Sequence, residues 1–269
     1  MNEIDFVGEL RRYSSLIGDD CAVVSPPASH DLILTTDFTI EGVHFKRGAS
    51  AEQVGHQALA RSLSDIAAMG GEPLYCLVAL AIAPWTDRRW IDGFYRGLNR
   101  CRGKCKLAGG DLSHARQVVC NTTVCGTAAR GQALRRSGAR PGDRIFVSGK
   151  LGGWKRRKTI VPRLDIGRRL VGKASACIDI SDGLAIDLFR ICSASGVAAE
   201  IDEIPLLDGA TLKQALHDGE DYELLYTVPP GKRVPGKRIG NIVAGVPGTV
   251  TLQGQPLRAI GYDHFQHRS

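Results

Sequence analysis

The sequence contains no apolar stretch long enough to cross a membrane, because its longest apolar run, 74–84, has only the length of a strand. The N-terminus carries acidic residues and no apolar signal core, so no secretory leader is expected. The eight cysteines form no CxxC pair, and several lie in apolar runs, where cysteine packs as a small hydrophobic side chain. These features predict a cytoplasmic protein with reduced thiols and no membrane association, rather than a disulfide framework or a zinc site.

The common nucleotide-binding motifs are also missing. The chain has no GxxxxGK[ST] loop, no GxGxxG after a strand, and neither the HRD nor the DFG motif of protein kinases. The glycine-rich stretch 149–153 resembles a phosphate-binding loop only loosely. A kinase built on this sequence would therefore need an unusual fold.

Basic residues are concentrated in one part of an otherwise ordinary globular composition. The segment 130–173 contains fourteen Lys and Arg residues against two acids, a local charge of +12, while the whole chain has +7, so the remainder carries −5. A nucleic-acid surface is one interpretation, but only Phe146 and Trp154 could stack on bases there. Phosphate groups of a smaller ligand, or simply a solvated basic face, account for the charge as well. We expect no nucleic-acid partner.

Carboxylates recur at the ends of apolar stretches, each beside Gly, Ser or Thr. The five sites are Asp19/Asp20, Asp37, Asp65, Asp111 and Asp179/Asp182. Taken singly, each is more typical of a polar turn. Taken together, converging carboxylates repel one another and need a cation between them, and all-oxygen ligands favour Mg²⁺. Mg²⁺ held by carboxylates and shared with substrate phosphates is typical of phosphoryl transfer.

Periodicity predicts alternating strands and helices in both halves of the chain, hence an α/β or α+β fold. In the first half we expect strands over 32–36, 74–83 and 118–128, with helices over 50–69 and 88–102. Later strands are expected over 144–148, 176–179, 197–201 and 221–228, with helices after 183 and over 210–216. A turn-rich join at 138–143 predicts two domains, 1–138 and 139–269.

The chain resembles the thiamine-monophosphate kinases, whose superfamily also contains aminoimidazole-ribonucleotide synthetase and selenophosphate synthetase. Eight segments carry the resemblance, in the family's order: GDDCAVV (18–24), TTDFTIEGVHF (35–45), LARSLSDIAAMGGEP (59–73), GGDLS (109–113), LRRSGARPGD (134–143), IDISDGL (178–184), GEDYELL (219–225) and GYDHF (261–265). The combination of SLSDIAAMG, SDGL, GEDYEL and GYDHF is specific to the kinase rather than to its cousins.

This resemblance implies a two-domain synthetase-like fold in which the N-terminal domains of a homodimer build a joint β-barrel. It implies ATP-dependent phosphorylation of thiamine monophosphate to thiamine diphosphate, by direct in-line transfer with several Mg²⁺ ions. Thiamine monophosphate and ATP are then the small-molecule partners. No general base is needed, since the acceptor is a phosphate oxygen that is ionised at neutral pH.

The resemblance also assigns residues by matching positions. The expected metal ligands are Asp20, Thr35, Thr36, Asp37, Asp65, Asp111, Asp179 and Asp182. The expected nucleotide contacts are Gly110, Asp111, Arg136 and Ser181, and the expected substrate contacts are His44, Glu220 and Tyr262. Asp37, Asp65, Asp111 and Arg136 are expected to carry catalysis. Asp19, Glu41 and Asp221 lie in the same motifs and are expected to brace their neighbours.

The sequence departs from the family in its C-terminal half. The stretch 152–170 replaces a longer segment, the connection 204–219 is short, Asp218 replaces a usual Gly, and no aromatic residue lies within 100–107. We therefore expect a shortened C-terminal domain. Two alternatives follow: a thiamine-phosphate or nucleotide-binding homologue with impaired turnover, and a same-fold ATP-dependent synthetase with another substrate.

Overall fold

The computed structural model describes residues 28–153 and 159–262. The chain forms two compact units, one from the described parts of Met1–Ile66 and Glu72–Gly131, the other from Ala67–Gly71 and the described parts of Gln132–Ser269. Both units mix helices and strands, which confirms the α/β class. No helix in the described ranges is long and apolar enough to span a bilayer.

The first unit contains a four-stranded sheet and two helices. The strands are β1 (His30–Ile40), β2 (Glu72–Ile82), β3 (Lys106–His114) and β4 (Val119–Ala129), in the order β1-β4-β2-β3. The helices are α1 (Ala51–Ala68) and α2 (Arg88–Cys101). One sheet face is buried by side chains such as Val78 and Val124, while the other exposes Leu34 and Phe38.

The second unit is built on a seven-stranded sheet in the order β11-β10-β7-β9-β5-β8-β6. Its strands are β5 (Arg144–Val147), β6 (Ala176–Asp179), β7 (Ala198–Ile201), β8 (Leu224–Val228), β9 (Lys237–Val243), β10 (Val250–Leu252) and β11 (Gln255–Leu257). Its helices are α3 (Leu164–Leu170), α4 (Leu184–Ser195) and α5 (Leu212–His217). Leu188 and Ile191 of α4 pack into a core with Ile178 of β6.

Most predicted elements are present, but two predictions about their ends were wrong. Asp37 and Asp111 were expected where strands stop, yet β1 continues to Ile40 and β3 to His114. Strand β1 continues because Thr39 is buried on the packed face and pairs with Cys120 of β4. Helix α3 and strands β9 to β11 were not predicted, because their apolar patterns are too short to indicate an element.

The cysteines in the described ranges are all free thiols, as the sequence predicted. Burial raises the pKa of the Cys120 and Cys177 thiols, which keeps them protonated and unreactive at neutral pH.

Candidate active site

The first candidate cluster lies where β1 packs against α1. Alternation along β1 turns Thr35 and Asp37 toward the helix. There the Thr35 hydroxyl donates a hydrogen bond to Asp65, and the Ser62 hydroxyl donates to Asp37 at 2.8 Å. Ser62 is itself held by Thr122 of β4, with 2.9 Å between the two hydroxyls. Sheet and helix together therefore bring two predicted metal ligands, Asp37 and Asp65, to one place.

The electrostatics of this cluster favour a bound cation. Burial raises the pKa of Asp37, although hydrogen bonds from Ser62 and Asp65 and the charge of Arg61 act in the opposite direction. A half-buried carboxylate in contact with a second carboxylate is costly to ionise unless a cation neutralises it. Two carboxylates and the Thr35 hydroxyl are hard oxygen donors, which fit Mg²⁺. Within the described ranges, no group of three or more His, Cys, Asp or Glu side chains is arranged to hold a metal. Asp20, a further predicted ligand, lies outside those ranges.

Thr36 differs from its neighbours because it lies on the other face of the sheet. Its hydroxyl donates to the Asn121 side chain at 2.9 Å and lies 3.1 Å from the Thr123 hydroxyl. The side chain of Thr36 therefore does not join Asp37, and only its main-chain carbonyl could contribute to a metal site there.

Gly110 and Asp111 lie on β3, beside β2. Gly110 is paired with Val78, and a Cβ atom at Gly110 would lie 1.8 Å from the Val78 carbonyl oxygen, so only glycine fits. Val78 also pairs with Thr122, and Thr122 pairs with Asp37. Gly110 and Asp37 therefore lie at the two ends of one row of residues that crosses the sheet. Asp111 is exposed and pairs with Ala79, one row further along.

His44 lies in the turn that follows β1. Its Nδ1 accepts a hydrogen bond from the Ile40 amide at 3.0 Å, which holds the ring in this turn. The neighbouring Glu41 accepts hydrogen bonds from the Trp85 indole at 3.2 Å and the Val118 amide at 2.9 Å. Glu41 thus holds the turn in place, as its bracing role predicted.

The second candidate cluster forms where β6 ends and α4 begins. Asp179 is the last residue of β6 and is buried, while Ser181 and Asp182 are partly exposed in the following turn. The Asp182 carboxylate accepts a hydrogen bond from Arg190 at 2.7 Å. Asp187, in the first turn of α4, accepts the amides of Asp182 and Gly183 at 3.1 and 3.2 Å. Burial raises the pKa of Asp187 to about 6, while the charge of Arg190 acts against that rise.

Two other segments converge on the same turn. The Glu220 amide donates to the Ser181 carbonyl at 2.7 Å, and the Tyr262 amide donates to the Asp182 carbonyl at 2.9 Å. Glu220 has a φ of 55°, a left-handed conformation that is uncommon outside glycine and often found at ligand sites. The structure therefore brings Ser181, Asp182, Glu220 and Tyr262 together, although they are far apart in the sequence.

Two remaining sites are simpler. Arg136 is exposed, on a segment whose Arg135 carbonyl accepts the Cys177 amide of β6 at 2.8 Å. In the glycine-rich stretch 149–153, the amides of Gly152 and Gly153 are not offered to a ligand, because Asp221 accepts them at 2.8 and 2.9 Å. Asp221 is thus a bracing residue, as the sequence predicted.

Three residues in these clusters were not singled out from the sequence. Arg61 is buried and its charge acts on Asp37, while Asp187 and Arg190 surround the turn at Asp182. A sequence signal was available for Asp187 alone, because an acid in the first turn of a helix is favoured by the helix dipole.

Comparison with known proteins identifies the family. The family model described as "AIR synthase related protein, N-terminal domain" matches residues 18–128. The thiamine-monophosphate kinase of Salmonella typhimurium is 34% identical over 93% of this chain and 91% of its own length. That alignment is 298 residues long, more than this whole chain, so the relative carries segments that are absent here.

Solved structures agree with the sequence comparison. The thiamine-monophosphate kinase of Stenotrophomonas maltophilia superposes with a TM-score of 0.82 at 31% identity, covering 94% of this chain and 96% of that one. AaThiL, solved in complex with AMPPCP and TMP, superposes with a TM-score of 0.83 at 31% identity, covering 97% and 96%. The two-domain fold and the resemblance inferred from the motifs are thereby confirmed. The chain belongs to the thiamine-monophosphate kinase family.

Proposed function

We propose that this chain transfers the terminal phosphoryl group of ATP to thiamine monophosphate, forming thiamine diphosphate. The observation that carries the proposal is the sequence identity between this chain and thiamine-monophosphate kinases, which extends over nearly their whole length. A relative has been solved with AMPPCP and TMP together, which are ligands of the two kinds this reaction requires.

The reaction is expected to need Mg²⁺, held first by Asp37 and Asp65, which lie together and close to the Thr35 hydroxyl. The other expected ligands are Asp20, Thr36, Asp111, Asp179 and Asp182. When bound, Mg²⁺ neutralises phosphate charge as the phosphoryl group moves. Ser62 orients Asp37 for this role, and Thr35 orients Asp65.

The remaining residues bind and orient the two substrates. Gly110, Asp111, Arg136 and Ser181 are assigned to the nucleotide, and Arg136 supplies a guanidinium for its phosphates. His44, Glu220 and Tyr262 are assigned to thiamine monophosphate. The Tyr262 ring is 39% exposed and can stack on an aromatic ring, while the Glu220 carboxylate suits the cationic thiazolium. Catalysis is then positioning and charge neutralisation, without a general base.

We further propose that the protein works as a homodimer and in the cytoplasm. The open face of the four-stranded sheet exposes Leu32, Leu34, Phe38 and Leu77, with exposed fractions of 46%, 69%, 57% and 43%. An apolar face of this kind is suited to a second copy of the chain. A reducing compartment that contains ATP matches the free thiols of the described cysteines.

The direct test is formation of thiamine diphosphate from thiamine monophosphate and MgATP, followed by chromatography. An EDTA sample and the Asp37→Asn variant serve as controls, and both are expected to abolish turnover. If the folded wild-type protein binds both ligands but makes no product, the kinase proposal is wrong. The segments missing relative to longer kinases would then mark a binding homologue.

A further inference from the structure

A cluster of three charged side chains surrounds the turn between β6 and α4. Arg190 Nη1 donates to Asp182 Oδ2 at 2.7 Å and to Asp187 Oδ1 at 2.6 Å. The Asp187 side chain is fully buried, that of Asp182 is 23% exposed, and that of Arg190 is 34% exposed. One nitrogen of the guanidinium is therefore clamped by two carboxylates, while part of the group stays open to solvent.

Asp187 occupies part of the backbone donor set at the start of α4. Its Oδ2 accepts the amides of Asp182 and Gly183, so these two amides are not offered to a phosphate. A side-chain cation beside this turn would add both charge and N–H donors for an anion. Among the described residues, Arg190 contacts the turn through the Asp182 carboxylate.

The guanidinium of Arg190 has an unused edge. Within the described ranges, Nη1 is the donor in both of its hydrogen bonds. Nε and Nη2 can therefore donate to a ligand, on a guanidinium whose position is already fixed by Asp182 and Asp187. Arginine binds phosphate best through such a pair of parallel N–H donors. Asp182 is bonded through Oδ2 only, so its Oδ1 is not used by Arg190.

Arg190 also lies beside the segments that carry expected ligand contacts. The Asp182 carbonyl accepts the Tyr262 amide, and the Ser181 carbonyl accepts the Glu220 amide. Ile186, one helical turn before Arg190, packs so closely on the tail that a Cβ atom at Gly261 would lie 2.3 Å from its side chain. The arginine is thus part of the second candidate cluster rather than of a remote surface.

We propose that Arg190 is a further phosphate-binding residue of this site, which contacts a phosphate group of ATP or of thiamine monophosphate through its Nε and Nη2 edge. The inference deepens the proposed function and rests on it. Asp182 and Asp187 fix the guanidinium from one side, so little side-chain entropy is lost when the other side binds the anion.

Substitution by lysine separates this role from a structural one. In Arg190→Lys the ammonium still neutralises Asp182 and Asp187, but the planar second edge is lost. Arg190→Gln removes both properties. Arg238→Lys is the matched control, because Arg238 is an exposed arginine in the same unit that pairs with Asp202 at 3.1 Å, outside the cluster.

The experiment measures dissociation constants of the full chain for AMPPCP and for thiamine monophosphate by calorimetry, together with the unfolding temperature. Arg190→Lys is expected to weaken at least one ligand by about tenfold or more, the usual cost of a charge-assisted hydrogen bond, with the unfolding temperature unchanged. A loss confined to AMPPCP assigns the contact to the nucleotide, and a loss confined to thiamine monophosphate assigns it to the acceptor. Arg238→Lys should bind both ligands like the wild type.

Two outcomes would overturn the proposal. One is wild-type binding of both ligands by Arg190→Lys. The other is weaker binding that is matched by a lower unfolding temperature, which marks a structural ion pair. Turnover of thiamine monophosphate by the wild type is scored separately, so failure of the kinase assignment is distinguishable from failure of this inference.

Discussion

Asp37 illustrates how a residue that we propose to bind a metal can oppose stability. Its carboxylate is partly withdrawn from water and in contact with Asp65, and burial raises its pKa. A carboxyl group whose pKa is raised in the folded state stabilises the fold while it is protonated. That contribution is lost as the pH rises through the folded-state pKa. At neutral pH, the metal-free protein therefore carries an unfavourable charge at this position.

Asp37→Asn is accordingly expected to abolish turnover and to raise the unfolding temperature of the protein in EDTA. The increase in unfolding temperature over the wild type should be larger at about pH 8 than at about pH 5. The reason is that the Asp37 carboxyl of the wild type ionises at the higher pH, whereas an asparagine side chain does not. Thermal unfolding at the two pH values measures this difference. Glu203→Gln, an exposed acid in the second unit, should change neither property. A lower unfolding temperature for Asp37→Asn at about pH 8 would contradict the argument.

Gly110 is required by close packing of two strands. A methyl group there would meet the Val78 carbonyl at 1.8 Å, so β3 would have to move away from β2. We expect Gly110→Ala to lower the free energy of unfolding by about 1–3 kcal/mol, in the range of overpacked sites, and to impair ATP binding. Gly103→Ala is the control, since Gly103 has a φ of 54° but nothing within 4 Å of an added Cβ. Urea unfolding of both variants checks the prediction, and equal losses would contradict it.

At the scale of elements, an ion pair with a buried carboxylate ties the residue before β8 to the segment that precedes α3. Glu223 is fully buried and accepts a hydrogen bond from Arg163 Nε at 2.8 Å. The Glu223 carbonyl also accepts the Ile180 amide, next to the turn of the second cluster. Arg163 comes from the shortened basic stretch, so part of that stretch serves as an anchor rather than as a solvated face.

Removal of one partner of the Arg163–Glu223 ion pair should therefore lower the free energy of unfolding more than removal of both partners. Arg163→Met leaves a buried carboxylate without its counter-charge and is expected to lower the free energy of unfolding by about 3 kcal/mol. Arg163→Met combined with Glu223→Gln should recover most of that loss. A double-mutant cycle in urea measures the coupling. Additive losses would mean that the pair does not anchor this segment.

At the scale of the whole molecule, the open sheet face predicts self-association. Phe38→Glu places a charge among the exposed apolar side chains of that face and should convert the proposed dimer to a monomer, which sedimentation velocity detects. Val246→Glu is the matched control, since Val246 is 73% exposed in the second unit and should leave the dimer intact. A Phe38→Glu protein that remains dimeric would exclude this face as the interface.

The sequence by itself determined the family, the α/β class and most of the elements. Short motifs such as SDGL and GEDYEL occur in the same order as in the family, and a strongly amphipathic helix such as α2 has a clear hydrophobic period. It also pointed to Asp37 and Asp65, because carboxylates recur at the ends of apolar stretches along the chain and converging carboxylates need a cation. Glu41 and Asp221 were correctly expected to brace their neighbours.

Only the tertiary structure decided which side chains meet. Register turns Thr35 and Asp37 toward α1 and Thr36 away, although the three are consecutive. The meeting of Tyr262, Glu220 and Asp182, and the clamping of Arg190 by two acids, depend on contacts between segments far apart in the chain. The local sequence pattern predicts which face of a strand or helix a side chain lies on. Packing between segments that are distant in the sequence determines which residue that side chain contacts.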